Sequence, residues 1–301
     1  MRVTDFAERT WTVIKYDESS EVWSGQLRSR VEHVLAARSH APAGESYRSE
    51  VAIICGLDDP ELSSVRRLPW DWKVLAVPND ATVYYQGHMG RPGEAGLVDA
   101  ASCSRMGMPA AAILAMKTIY AFRPRYLAVV GIAAGVFGKA NPGDILAADP
   151  SWDYGSGKHY RVDGEARFAA APHQIPLDAG LRSRLKLLSE DDQLLAKIRA
   201  EWPGDKPDCP LRIRVGPLAS GAAVIADEDR LREVGEQHRQ LLGVEMEAYS
   251  IFAAAIECSA PRPLPIALKS VCDFGDGNKD DRFQKYAAYT SARVLLRLFG
   301  D

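Results

Sequence analysis

Val51-Ala52-Ile53-Ile54-Cys55-Gly56-Leu57-Asp58-Asp59-Pro60-Glu61 sets a short, unbroken apolar run against a glycine, a proline and three acids. An apolar run of this length, closed by turn residues, has the signature of a strand buried on both faces. Pro60 suits a first helical position and Asp59 an N-cap, with Leu62, Val65 and Leu68 giving a helix face beyond them. The same order repeats outward along the chain. Pro109 opens an alanine-rich helix to about 122, and Arg125 to Val130 form a strand ending at Gly131. A strand over Asp144 to Ala148 ends at Asp149. Helices near 178 to 202 precede a strand near 211 to 218, a helix after Glu247, a strand from Leu264 to Val271 and a terminal helix from about 280. Short apolar runs alternating with amphipathic ones predict an α/β fold, a central mixed twisted sheet flanked by helices.

Upstream of Val51 the pattern changes. Trp11, Trp23, Val31 and Val34 are apolar, but the segment ends in Ala41-Pro42-Ala43-Gly44-Glu45-Ser46, which is linker-like. Residues 1–48 are therefore expected to be an N-terminal extension, and 49–301 the main domain.

Composition narrows the function classes. Hydrophobic residues make up 47% and charged residues 26% of 301, ordinary usage for a folded globular chain. The net charge of −3 supplies no excess cations for a polyanion, so a nucleic-acid polymer is not an expected partner. Met1 to Glu8 lack the basic-then-apolar order of a signal peptide, and no apolar run approaches the ~20 residues that span a bilayer. A cytosolic location without membrane contact is expected. The five cysteines, at 55, 103, 209, 258 and 272, contain no CxxC pair, and the histidines are scattered. Neither a disulfide framework nor a metal site is expected, and no cofactor is called for.

In α/β sheets ligands gather beyond the carboxyl ends of strands. Four such places carry unusual clusters: Gly56 to Glu61; Gly131-Ile132-Ala133-Ala134-Gly135; Val244-Glu245-Met246-Glu247-Ala248; and Val271-Cys272-Asp273-Phe274-Gly275-Asp276. In this order, over about residues 51 to 300, they resemble the purine nucleoside phosphorylase and nucleosidase superfamily. The nearest likeness is to its methylthioadenosine/S-adenosylhomocysteine nucleosidase branch. The most specific element is Gly243 to Ala248 followed by Asp273, supported by Val130 to Val136, Gly143-Asp144-Ile145 and Ser220-Gly221-Ala222.

The resemblance implies cleavage of an N-glycosidic bond in an adenine compound. Adenine leaves badly as an anion, so an acid must protonate N7, while the ribose develops oxocarbenium character. Asp273 matches the family's acid, a role worth about 10²–10⁴-fold; its bland alternative is a capping aspartate before the terminal helix. Glu247 matches the carboxylate that grips the ribose hydroxyls, Met246 the methionine packed along the sugar, and Glu245 sits in the same motif. A first-turn acid favoured by the helix dipole is the competing reading for both glutamates.

The family also places a water-activating acid just after the first strand. Ungapped comparison puts Pro60 there; a one-residue shift puts Glu61 there, with Asp59 the other candidate, and Glu61 is chosen because proline cannot ionise. Ile132, Ala133 and Ala134 match the bend where small residues let backbone approach the sugar. Val224 and Ile225 match the purine pocket, where valine forgoes ring stacking. Related phosphorylases carry an arginine and a hydroxyl residue where Val129 and Ile132 stand here, which favours water over phosphate as nucleophile. Phosphorolysis, or a silent nucleotide sensor, are the alternatives.

Gly155-Ser156-Gly157-Lys158 lacks the full phosphate-loop spacing, yet with Val271 to Asp281 it looks like phosphorylase-family effector domains of bacterial signalling and antiphage systems, some of which act on ATP. On that likeness Arg91, Arg105 and Lys158 are candidates for substrate phosphates. The family further implies a homo-oligomer.

Overall fold

A computed structural model describes residues 22–39, 46–90, 96–275 and 281–300. The chain divides into two compact units, Met1–Glu45 and Ser46–Asp301. In the first, Val22–Ser39 is a helix. Of the linker-like stretch 41–46, only Ser46 is among the described residues.

Among its described residues the second unit carries eleven strands: β1 (Ser49–Cys55), β2 (Lys73–Leu75), β3 (Tyr84–Met89), β4 (Gly96–Ser102), β5 (Pro124–Gly135), β6 (Ile145–Asp153), β7 (Gly157–Val162), β8 (Glu165–Ala170), β9 (Ile213–Ser220), β10 (Gly243–Glu245) and β11 (Leu264–Asp273). Nine form one mixed sheet in the order β10-β9-β6-β11-β5-β1-β4-β3-β2. A further antiparallel pairing of β10 with β5 (Gly243 with Gly135, Val244 with Ala134) bends one half of the sheet into a closed five-strand ring.

The unbroken apolar runs are explained by two cores, one on each face. Val51, Ile53 and Cys55 belong to one core and Ala52 and Ile54 to the other; β5 splits likewise into Ala128 and Val130 against Leu127 and Val129. Side chains alternate across a strand, so a strand covered on both sides must be apolar at every position. The first core is closed by the terminal helix Gln284–Phe299 through Ala292, Val294 and Leu295. The second is closed by the helices Met108–Phe122 and Ala248–Glu257 through Ala111, Leu114, Ile251 and Phe252. Fully burying one such aliphatic side chain contributes about 1.5–3 kcal/mol.

Several sequence expectations are corrected. β5 does not end at Gly131 but runs to Gly135, because its distal half is paired with both β10 and β11. β6 likewise continues past Asp149 to Asp153, alongside β9. The helices expected near 178 to 202 are present as Ala179–Ser189 and Asp192–Ala200, each capped by an aspartate, Asp178 and Asp191. After β1 there is no extended helix. Asp58–Leu62 form a π-type turn in which the Leu62 amide donates to the Leu57 carbonyl, followed by a single short turn, Ser63–Val65. Asp59 has an extended backbone and accepts from the Ser63 hydroxyl, not from a helical amide. Finally, Gly155 to Lys158 lead into a separate hairpin of β7 and β8.

Candidate active site

The π-type turn decides which acid enters the molecule. A π turn holds one residue more than an α turn. Glu61 is turned inward and buried, whereas Asp58 and Asp59 are exposed. Its carboxylate accepts from the amides of Leu57 (2.9 Å), just beyond β1, and of Ile132 (2.8 Å) in β5. Glycine at 131 is a steric requirement: a Cβ there would lie 1.8 Å from Glu61 Oε1. Gly56 makes the matching allowance for Glu247, since its Cβ would lie 2.9 Å from that carboxylate carbon.

Glu247 stands at the start of the helix Ala248–Glu257. Its Oε1 accepts from the Gly107 amide (2.9 Å) and its Oε2 from Lys269 Nζ (3.0 Å). Glu245, two residues earlier, plays a different part. Both of its oxygens accept from the backbone at the head of that helix, the amides of Glu247 (2.9 Å) and Ala248, and it takes the Ser220 hydroxyl in a short contact. Ser220 Oγ in turn accepts from the Tyr249 amide. Glu245 therefore caps the helix and orients the residue that carries Glu247.

Lys269 is the residue that sequence reasoning missed. It is 1% exposed in mid-β11, and its ammonium lies 3.0, 3.5 and 3.7 Å from Glu247, Glu245 and Glu61. Its signal was present: a lone cation inside the apolar run Leu264 to Val271 must be paired if that run is a buried strand.

The four charges set one another's protonation. Burial works against the ammonium, but the three carboxylates outweigh it and hold Lys269 well above its ordinary value. Burial pushes Glu247 up, yet Lys269 and the Gly107 amide more than offset this and keep it below the usual carboxylate range. Glu61 moves the other way: burial raises it, with the Glu247 charge adding to the rise, against the Lys269 ammonium and its two amide donors. Glu245 is raised too, again chiefly by burial. The cluster thus contains a firmly ionised pair, Glu247 and Lys269, and a proton-seeking carboxylate, Glu61.

Asp273 enters from the end of β11, where the register slips between Val271 and Asp273. Its Oδ1 accepts from the Gly275 amide (2.8 Å), and the Cys272 thiol lies 3.2 Å from Oδ2. Asp273, Glu61, Glu245, Met246, Glu247, Ile132, Ala133, Ala134, Val224 and Ile225 all line one cavity of about 160 Å³. Met106, Ala223 and Gln284 also line it, without having been singled out in sequence. Lys158 does not line it; this residue is exposed on β7. Arg105 lies on a neighbouring cavity of about 540 Å³, and Arg91 falls outside the described residues. No group of three or more candidate metal ligands occurs among the described residues, and no described helix is long and apolar enough to cross a membrane.

The fold is shared with solved nucleosidases. The protein superposes on the methylthioadenosine/S-adenosylhomocysteine nucleosidase of Helicobacter pylori with a TM-score of 0.65 at 17% identity, covering 84% of this chain and 98% of that one. Futalosine hydrolase of the same organism gives 0.63 at 18%, covering 83% and 97%. In sequence, the chain is 35% identical over 301 residues to the uncharacterized protein y4jS of Sinorhizobium fredii, covering 97% of this chain and 73% of that protein. It is 25% identical over 205 residues to the ATP nucleosidase Cap17 of Escherichia coli, which takes in 64% of this chain and 39% of Cap17. To the methylthioadenosine/S-adenosylhomocysteine nucleosidase of Bacillus velezensis it is 24% identical over 196 residues, 65% of this chain and 78% of that enzyme.

These relationships place a carboxylate-lined cavity on a fold shared with solved nucleosidases. With residues 50–299 matching its family model, the chain belongs to the phosphorylase superfamily.

Proposed function

We propose that the protein hydrolyses the N-glycosidic bond of an adenine nucleoside or nucleotide and releases free adenine. The observation that carries this reading is the meeting of Asp273, Glu247 and Glu61 on one cavity, although they lie on three different strand ends. Asp273 donates a proton to purine N7, so that the base departs neutral as the bond from C1′ to N9 breaks. Glu247, kept ionised by Lys269, accepts from the ribose 2′ and 3′ hydroxyls and stabilises positive charge at C1′. Glu61 takes one proton from water as the water oxygen bonds to C1′. A carboxylate pushed upward by burial is the better proton acceptor for this step.

Water as nucleophile is supported by the cavity wall, which contains no arginine or lysine among its described residues. A phosphate dianion would be desolvated there without a charged partner. A homo-oligomer is part of this reading, supported by Ile113 and Tyr120, exposed on the helix Met108–Phe122. The test is chromatography of protein incubated with methylthioadenosine, S-adenosylhomocysteine, adenosine, AMP and ATP, with and without inorganic phosphate. Adenine release that does not depend on phosphate is expected; strict phosphate dependence would make the enzyme a phosphorylase.

A further inference from the structure

Phe274, the residue after Asp273, lines a separate cavity of about 740 Å³, against about 160 Å³ for the site. Two strand ends and one helix enclose it: Val136 and Phe137 follow β5, Phe274 follows β11, and Leu231 lies on the helix Glu228–Gln237. That helix is anchored by Val234, 1% exposed in a core cluster against which Leu231 and Val136 also pack. Phe137 is nevertheless 82% exposed, and on a fixed backbone. The Val136 amide donates to the Leu242 carbonyl (2.8 Å), and the Lys139 and Ala140 amides donate to the Val136 carbonyl (3.0 and 3.2 Å). Its ring meets Phe274 edge-on, with centroids 5.6 Å apart and planes at 77°. An ordered turn thus holds a phenyl ring in water, which disfavours the fold unless an apolar group covers it.

The charges on the same wall are unbalanced. Lys139, Arg232 and Arg239 line it with a single acid, Glu236, in a chain whose net charge is −3. Arg232 is committed to Asp229 at 2.7 Å. Lys139 Nζ donates to the Arg239 carbonyl at 2.6 Å, which brings these two residues together and uses one of the three ammonium protons. The Arg239 guanidinium has no hydrogen-bond or ion-pair partner among the described residues. Phenyl surface beside paired cations calls for a ligand that is aromatic in one part and anionic in another. Its ring packs on Phe137, and its anionic group accepts from Arg239 and Lys139. The volume falls in the range of about 300–1,000 Å³ typical of small-molecule sites.

We propose that the cavity between Phe137, Phe274 and Arg239 is a binding site for a small aromatic anion, distinct from the carboxylate-lined cavity. The two cavities share no lining residue, so the inference stands or falls separately from the nucleosidase reading. The experiment titrates the full chain with anilinonaphthalene sulfonate, an aromatic monoanion that fluoresces in apolar surroundings, with adenine present in excess to fill the site. Phenylnaphthylamine, the same rings without the sulfonate, serves as the uncharged control. One sulfonate dye per chain is expected, bound about tenfold or more tightly than the control. Phe137→Ala and Arg239→Gln should each weaken it about tenfold, the latter by the loss of one charge-assisted hydrogen bond. Both side chains are exposed, so the variants should melt with the wild type. No saturable binding, equal binding of the uncharged control, or an affinity that neither variant moves would overturn the site. Sedimentation of the dye-free proteins tests the other occupant: a wild type that forms a larger assembly than Phe137→Ala would show that a second copy of the chain covers this face, and would overturn the proposal too.

Discussion

Replacing Lys269 by methionine removes the ammonium and keeps most of the volume of the stem. Three carboxylates within 3.7 Å lose their shared partner in a place that is 1% exposed. At an effective dielectric of about 20, each contact is worth roughly 4–6 kcal/mol before desolvation. Most of that is returned on burying the charges, and removing one partner of a buried pair costs about 3–5 kcal/mol net. In a domain of this size such a loss lowers the melting temperature by on the order of 10 °C. The loss must also depend on pH. Without the lysine, the folded-state values of Glu61, Glu245 and Glu247 all rise above those of the unfolded chain. The folded variant then holds protons that the unfolded chain releases, so stability falls as pH rises from about 4.5, the ordinary glutamate value, through the raised values. Thermal unfolding of both proteins at pH 5.5 and pH 8 reads this directly. The gap between wild type and Lys269→Met should widen at pH 8 and narrow at pH 5.5, and Lys269→Arg should recover much of it. A gap under about 2 °C, equal at both pH values, would refute the view that this lysine neutralises the glutamates.

Other consequences can be checked by kinetics. Asp273→Asn should abolish adenine release while leaving nucleoside binding measurable by calorimetry; unchanged turnover would remove the acid from the mechanism. Glu61→Gln should lower kcat by about 10²–10⁴-fold with little change in KM, the pattern of a lost proton acceptor. In the wild type, kcat/KM should fall on acidification at a pH above 4.5, because Glu61 must be ionised to accept a proton and its value is raised by burial; a limb at or below 4.5 would exclude Glu61 as that acceptor. Gly131→Ala should lower activity as severely as Glu61→Gln in a folded protein, judged by circular dichroism, since the new methyl would fall 1.8 Å from the carboxylate.

The residues themselves made the α/β class and most of the site legible. The runs at 51–55 and 264–271 are apolar at consecutive positions because each strand is covered on both faces. The acids at 245, 247 and 273 stood out because their order and spacing beside small residues resemble a family motif, Gly243 to Ala248 followed by Asp273. Less was legible where distant pairing determines conformation. Gly131 to Gly135 looked like a loop on local pattern, yet it is strand, because β10 and β11 supply hydrogen-bond partners from more than 100 residues away. Lys158 looked placed for an anion because of its glycines, but those residues begin an exposed hairpin.

What the sequence by itself determined was the kind of chemistry available: carboxylates at strand ends, no metal-ligand spacing, no cationic surplus. Only the tertiary structure turns Glu61 inward while Asp58 and Asp59 stay exposed, and only it brought in Lys269. The reason is physical. The inward placement of Glu61 depends on amides of Leu57 and, 71 residues away, Ile132 that hold its carboxylate, and the charge state of each glutamate depends on a lysine 22 or more residues distant in sequence. Hydrogen bonds and Coulomb forces act through space, and the order of residues does not state which groups will be 3 Å apart until the sheet has closed.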